Sequence, residues 1–398
     1  MISERMVGLG SARSVIRELF EYGKKRAALV GPENVFDFSL GNPSVPAPPQ
    51  VNEAAIRLLQ EHPEIIHCYT SAQGDPSVRQ AYADSLNRRF GTDYTCDEFF
   101  VTTGAAAALC CVFGALTLPE DEYIVIAPYF SEYQVYIGSA RGKMVVVPPD
   151  TEDFQINFAA LEARITAHTK GIVVNSPNNP SGVVYSRQTL QRLADLMETK
   201  SREYGHTIYL ISDEPYREIV FGGVEVPWIP SIYRDTIVCY SFSKSLSLPG
   251  ERLGYVLVPR EIPQSQRIYA AVAGAARNLG YVSAPSLFQF VTAQCCDLTA
   301  DISVYEHNCH LLVRELRAMG YHVVEPGGAF YLFIRCPEAD DFAFSERAKE
   351  FDLLLVPGSG FGVPGYVRIA YCVPTQMLER ALPRFRALAE SYLKGDTQ

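Results

Sequence analysis

The sequence predicts an α/β protein: a large three-layer α/β/α lobe around a mainly parallel sheet, plus a smaller α+β lobe built from both termini. Three observations carry this. At 398 residues the chain exceeds what one hydrophobic core organises. Its middle alternates short, near-continuous apolar runs with amphipathic helical patterns, as strands buried on both faces between helices do. Its last third changes to long helical patterns around a few short strands.

In chain order, Ser11–Val30 has apolar residues at helical spacing (Val15, Ile16, Leu19, Phe20) and closes at Gly31–Pro32. Four prolines within Gly41–Pro49 exclude regular helix or central strand, so this segment is read as an extended connector between the lobes. Strands are expected at Phe99–Val101, Tyr123–Ala127, Met144–Val147, Gly171–Val174, Ile208–Ile211, Thr236–Cys239 and Gly254–Val258. The longest apolar stretch, around Ala105–Leu116, is shorter than the ~20 residues that cross a bilayer, and is read as a buried helix. Ser186–Tyr204 gives the clearest helix, with Ser186 as N-cap, Leu190, Leu193, Ala194 and Met197 on one face, and Gly205 as stop. Further helical patterns run over Ser286–Met319, Phe344–Phe351 and Thr375–Leu393, around strands at Tyr321–Val324, Ala329–Ile334 and Tyr366–Ala370. The expected division is residues 49–284 for the large lobe, and 1–48 with 285–398 for the small one.

A net charge of −10 disfavours nucleic-acid and anionic-membrane partners, which repel an acidic surface. The first ten residues lack a basic start followed by an apolar run, and ten cysteines occur without a CxxC pair. Reduced thiols and a cytoplasmic location are expected.

In open α/β sheets ligands bind beyond the carboxyl ends of the strands. The residues just after the apolar runs are Gly104, Phe130, Asn175–Gly182, Asp213 and Ser241–Lys244. Together they offer an amine, a carboxylate, amides and hydroxyls, which suggests one shared site. Four segments stand in order: Asn175-Ser-Pro-Asn-Asn-Pro-Ser-Gly182, Asp213-Glu-Pro-Tyr216, Ser241-Phe-Ser-Lys244, and Arg252 eight residues beyond the lysine. In this the chain resembles, from about Gly41 to Arg368, the class I and II aminotransferases, fold type I enzymes dependent on pyridoxal phosphate.

That resemblance implies a set of roles. Lys244 is similar to the lysine that carries the cofactor as a Schiff base, and Asp213 to the carboxylate that pairs with its pyridine nitrogen. Asn179 and Tyr216 resemble the donors to its phenolic oxygen. Ser241, Ser243, Arg252 and the amides of Gly104, Ala105 and Ala106 would receive the phosphate; the two alanines leave chiefly backbone donors there. Phe130 stands where the family stacks an aromatic ring, although Ser131 replaces the usual proline. Tyr69 resembles the tyrosine that reaches the neighbouring subunit's phosphate, which implies a homodimer. Arg368 is similar to the arginine that grips the substrate α-carboxylate bidentately, and Gly41 to the glycine that admits close backbone approach. Arg277, 33 residues after Lys244, falls near the region where aspartate-type members place an arginine for a distal carboxylate. A surface arginine is the plainer reading of it.

The implied activity is transfer of an amino group between an L-amino acid and a 2-oxo acid, with dicarboxylic or aromatic amino acids as substrates. The nearest rival is a carbon–sulfur β-lyase or another elimination enzyme, whose cofactor motifs look alike. A cofactor-sensing regulator would need a DNA-binding region that the acidic chain does not display. Two other patterns are set aside. Gly358–Gly362 lacks the Gly-Lys-Ser/Thr ending of a phosphate loop. His307, Cys309 and His310 are too few for a tetrahedral site, so no metal is expected.

Overall fold

The computed structural model describes residues 2–11 and 15–393. The strands are β1 (Phe36–Asp37), β2 (Phe99–Thr102), β3 (Glu122–Ile126), β4 (Lys143–Val147), β5 (Thr169–Asn175) and β6 (Tyr209–Asp213). They continue with β7 (Thr236–Ser241), β8 (Gly254–Leu257), β9 (Tyr331–Arg335), β10 (Leu353–Leu354), β11 (Val356–Pro357) and β12 (Tyr366–Ala370). All seven strands expected in the middle of the chain form one sheet, in the order β2-β8-β7-β6-β5-β3-β4. Only β8 runs antiparallel to its neighbours β2 and β7.

Alternation along each strand builds the three layers, since successive side chains point to opposite faces. Val125, Val173 and Ile211 pack under Ala108, Leu109 and Val112 of the helix Ala105–Leu116 and under Val272 of the helix Ser265–Leu279. Their neighbours Ile124, Ile172 and Leu210 face the other way, against Leu190, Leu193 and Met197 of the helix Arg187–Tyr204. That helix begins and ends as its sequence requires. Ser186 Oγ accepts from Thr189 N (3.0 Å), and Gly205 takes a left-handed φ of 73°.

The small lobe is a three-stranded antiparallel sheet, β11-β12-β9, with a parallel pair β1-β10 that ties the N-terminal region to the C-terminal one. Its core joins Phe36 and Phe38 to Phe344, Leu353, Leu378 and Phe385. Both ends of the chain therefore build one core.

Three expectations need correction. The pattern read as one helical stretch over Ser286–Met319 is two helices, Ser286–Cys295 and Ser303–Ala318. Between them Asp297 accepts from Ser85 Oγ (2.5 Å), and Ala300 N donates to Ser245 O (2.7 Å), so tertiary partners replace the helical ones. The first of these helices shares a core with the helices Pro49–Glu61 and Pro76–Phe90, through Val291 and Cys295 against Val51, Ala54 and Leu58. Tyr321–Val324 is not a strand. It contributes a single bridge, Val323 to Ile334, while Tyr321 is buried and donates to Phe385 O (3.2 Å). The N-terminal pattern forms helices over Glu4–Ser11 and Val15–Val30, and residues 12–14 of the expected Ser11–Val30 helix lie outside the described residues.

Gly41–Pro49 is without regular structure until a helix starts at Pro49. Tyr305 Oη accepts from Ser44 N (3.0 Å) and Val45 N (3.3 Å), which pins this connector to the small lobe. No helix among the described residues is long and apolar enough to cross a membrane.

Candidate active site

Strand direction decides what meets at the sheet's edge. β5, β6 and β7 are parallel, so Asn175, Asp213 and Ser241, their last residues, end side by side. β2 is parallel to β7 through the intervening β8, which brings Gly104 and the start of the next helix to the same edge. β8 runs the other way, so its beginning lies there, and Arg252 stands two residues before it. These ends border a cavity of about 370 Å³. Its lining includes Ala105, Ala106, Phe130, Asn179, Asp213, Tyr216, Ser241, Ser243, Lys244 and Arg252 from the large lobe. Gly41, Tyr331 and Arg368 close it from the connector and the small lobe.

Lys244 sits on the single turn Phe242–Ser245 that follows β7, which Ser241 caps by accepting from Ser243 N (3.2 Å). Its amine donates to Gly41 O at 2.5 Å. Burial, with the guanidinium charges of Arg368 and Arg252, pushes the amine down to about 8. Asp213 is buried at the end of β6, where loss of solvent pushes its carboxyl up to about 7. Tyr133 Oη donates to Asp213 Oδ2 (2.6 Å), while Oδ1 has no partner among the described residues. A buried carboxylate oxygen without a donor is costly, so the missing partner belongs in the cavity.

Arg368 is fully buried on β12. Nη1 donates to Asn179 Oδ1 (3.0 Å) and Nη2 to Ser39 O (2.5 Å), and Nε is unpaired among the described residues. Its guanidinium lies 4.6 Å from the Tyr331 ring centroid and 5.0 Å from that of Phe361. Asn179 is fixed by Asn175 Oδ1, which accepts from its backbone N–H (2.7 Å). Tyr216 Oη and Tyr331 Oη share a hydrogen bond of 3.0 Å.

Gly104 caps the helix Ala105–Leu116 at φ 89°, and a Cβ there would stand 3.1 Å from Arg252 Nη2. A side chain would therefore be strained and would crowd the guanidinium. Gly41 is bound more tightly still, since a Cβ would lie 1.8 Å from Tyr331 Oη.

Two sequence-predicted residues stand apart. Tyr69 does not line the cavity and is 98% exposed. Arg277 is exposed in the last turn of the helix Ser265–Leu279 and does not line the cavity either. Sequence reasoning missed Tyr331, Ile16, Tyr136 and Leu40 as lining residues, and Tyr133 as the partner of Asp213. Tyr133 lies three residues beyond Phe130 in the same segment, so a local signal for it exists. Tyr331 gives none, being one aromatic in the apolar run of a small-lobe strand.

The family model "Aminotransferase class I and II" matches residues 33–385. An aspartate aminotransferase of Thermotoga maritima is 32% identical over 373 residues, 92% of this chain and 95% of that protein. An aspartate/prephenate aminotransferase of Thermus thermophilus is 31% identical over 87% of this chain and 88% of its own length. Among solved structures, an aminotransferase from Eubacterium rectale superimposes with a TM-score of 0.97 and 54% identity, over 98% of this chain and 99% of that one. These relatives carry transaminase names, and the elimination reading finds no support among them.

Proposed function

The chain belongs to the class I and II aminotransferases, and from that premise we propose that it holds pyridoxal phosphate at Lys244 and Asp213. It is a transaminase, and its substrates are an L-amino acid and a 2-oxo acid. One observation carries the cofactor assignment. A buried amine pushed down to about 8 shares one cavity with an unpaired carboxylate oxygen, Asp213 Oδ1.

The donor set fits that cofactor. Bound there, pyridoxal phosphate supplies an electrophilic carbon and a ring that accepts electrons from the substrate α-carbon. Lys244 Nζ, pushed down to about 8, is the amine that would hold the cofactor's aldehyde carbon, with loss of water, and would take and return the substrate α-proton. Asp213 Oδ1 would pair with the cofactor's ring nitrogen, and a positive charge there would favour the ionised form of the carboxyl. Asn179 uses Oδ1 on Arg368, which frees its Nδ2 to serve, with Tyr216, as donor to the phenolic oxygen. Ser241, Ser243, Arg252 and the first amides after Gly104 receive the phosphate, and Phe130 stacks on the ring.

Arg368 binds the substrate α-carboxylate. Each terminal nitrogen gives one hydrogen to the protein, so each keeps one for a carboxylate oxygen. The substrate side chain meets Ile16 and Leu40, a wall suited to an aromatic amino acid. The aspartate and aspartate/prephenate names of the relatives support a dicarboxylic one. A homodimer in which Tyr69 and Arg277 reach the neighbouring site accounts for the exposure of both on their own subunit. All ten cysteines are free thiols, which suits the cytoplasm.

Two measurements test this. Borohydride reduction of the holoenzyme followed by peptide mapping should label Lys244 alone, and a label on another lysine would overturn the assignment. An amino acid added without acceptor should give a stoichiometric 2-oxo acid and the amine form of the cofactor. Ammonia with pyruvate would mean elimination instead.

A further inference from the structure

Tyr331 touches three groups of the site at once. Its hydroxyl bonds to that of Tyr216 at 3.0 Å, a partner 115 residues away. The same hydroxyl fills the space that a side chain on residue 41 would need. The ring lies 4.6 Å under the guanidinium carbon of Arg368.

Strand pairing explains how one residue reaches both sides. β9 and β12 are antiparallel, with Tyr331 opposite Ala370 and Phe333 opposite Arg368. Residues two apart share a face, so Tyr331 is the diagonal neighbour of Arg368 on the same face. The ring is buried and held by Phe330 and Tyr216, with centroids 5.0 and 5.7 Å away.

We propose that Tyr331 is a positioning residue with two separable functions: its hydroxyl orients the proton of Tyr216, and its ring holds Arg368 ready for a carboxylate. The hydroxyl function follows from counting protons. A phenol has one hydrogen and can accept others. When Tyr216 gives its hydrogen to the cofactor's phenolic oxygen, the bond between the phenols persists only if Tyr331 donates to Tyr216. Burial raises both phenols above their ordinary value, against the lowering charge of Arg368 on each, so both keep their hydrogens near neutral pH. A donor chain in which each bond polarises the next then ends on the cofactor oxygen. The ring function follows from the absence of any carboxylate on Arg368 among the described residues. Its polar contacts are a carbonyl and an amide oxygen, so the faces of Tyr331 and Phe361 help to keep a buried cation in place before substrate arrives.

The proposal rests on the cofactor reading, and the test separates the two. In the holoenzyme, the cofactor's visible absorption is titrated with pH in the absence of substrate, and kcat and KM are measured for one amino donor. If the parent enzyme shows no cofactor absorption, the cofactor reading fails and Tyr331 falls with it. With a normal parent, Tyr331→Phe should shift the titration midpoint and lower kcat about threefold to tenfold, with KM within about twofold. Tyr331→Leu should do the same and also raise KM about fivefold or more. Should the leucine variant not fold, Tyr331→Met, whose flexible thioether fills irregular space, reads the same contrast. An unchanged midpoint and kcat in Tyr331→Phe overturn the hydroxyl function. Equal KM in the aromatic and aliphatic variants overturns the ring function.

Discussion

The two walls of the cavity come together by different means. The sheet wall takes Asn175, Asp213 and Ser241 from the ends of three adjacent parallel strands, with Lys244 one turn beyond. Neighbouring strands lie about 4.8 Å apart, so residues that end them are close by construction. The opposite wall takes Gly41 from a connector and Tyr331 and Arg368 from an antiparallel sheet. Its closures span 329 residues from Ser39 to Arg368 and 203 from Gly41 to Lys244. Among the described residues each wall leaves one buried polar atom unpaired, Asp213 Oδ1 on the first and Arg368 Nε on the second. The sheet wall thus carries Asp213 and Lys244, whose protonation burial shifts, and the other carries the guanidinium to which the proposed function assigns the substrate carboxylate. Damage to the first should appear in rate and loss of the Arg368 guanidinium on the second in affinity, while the Tyr331 hydroxyl, bonded to that of Tyr216, acts with the first.

The largest effect expected from that division is at Asp213. Asp213→Asn should lower kcat about a hundredfold or more, since a charge aimed at the reacting ring is lost, while the cofactor still binds. Equal kcat in variant and parent would take the sheet wall out of the chemistry. The same substitution gives a second reading in the cofactor-free protein. Asp213 is raised from 3.8 to about 7, so its contribution to stability is complete below pH ~4 and is lost as pH rises through 7. Asparagine removes that loss. Urea unfolding should find the variant about 2–4 kcal/mol more stable at pH 8 and no more stable at pH 4.

Arg368→Lys should raise KM for the amino donor about tenfold to a hundredfold and change kcat less, because an ammonium cannot make two parallel bonds to a carboxylate. A fall confined to kcat would break the assignment of affinity to this wall. The amine of Lys244, lowered by burial to about 8, captures an aldehyde only when unprotonated. Stopped-flow mixing of cofactor-free protein with pyridoxal phosphate should show capture slowing about tenfold per pH unit below 8 and levelling above it. A rate still rising at pH 10 would mean that the amine keeps its ordinary basicity. The smallest effect belongs to Arg277, which lies on neither wall of its own subunit. Arg277→Ala should lower the glutamate-to-phenylalanine ratio of kcat/KM about threefold to tenfold if it reaches across a dimer. An unchanged ratio would leave it a surface arginine.

The same contrast governs which parts of the molecule are legible in the amino-acid sequence. The seven central strands and the helix Arg187–Tyr204 are legible because apolar runs and caps are local signals. The small lobe is less so. Ser286–Met319 looks like one helical pattern because helical spacing continues across residues 296–302, where the structure instead pairs Asp297 with Ser85, Ala300 with Ser245 and Asp301 with Ser303 N. Tyr321–Val324 has strand composition without a partner strand beside it beyond one bridge.

Sequence by itself therefore determined the alternating α/β architecture and the ordered set of groups at the strand ends, from Asn175 to Arg252. It could do so because each lies within a few residues of the element that places it. Tertiary structure alone decided that Tyr133 holds one oxygen of Asp213, that Tyr331 links Tyr216 to Arg368, and that Gly41 must lack a side chain. Those relations join residues 80 and 115 positions apart in the first two cases. No periodicity or cap encodes a contact of that range. The Tyr133 contact exists only once the large sheet is assembled, and the Tyr331 contacts only once the small-lobe core has packed against that sheet's edge.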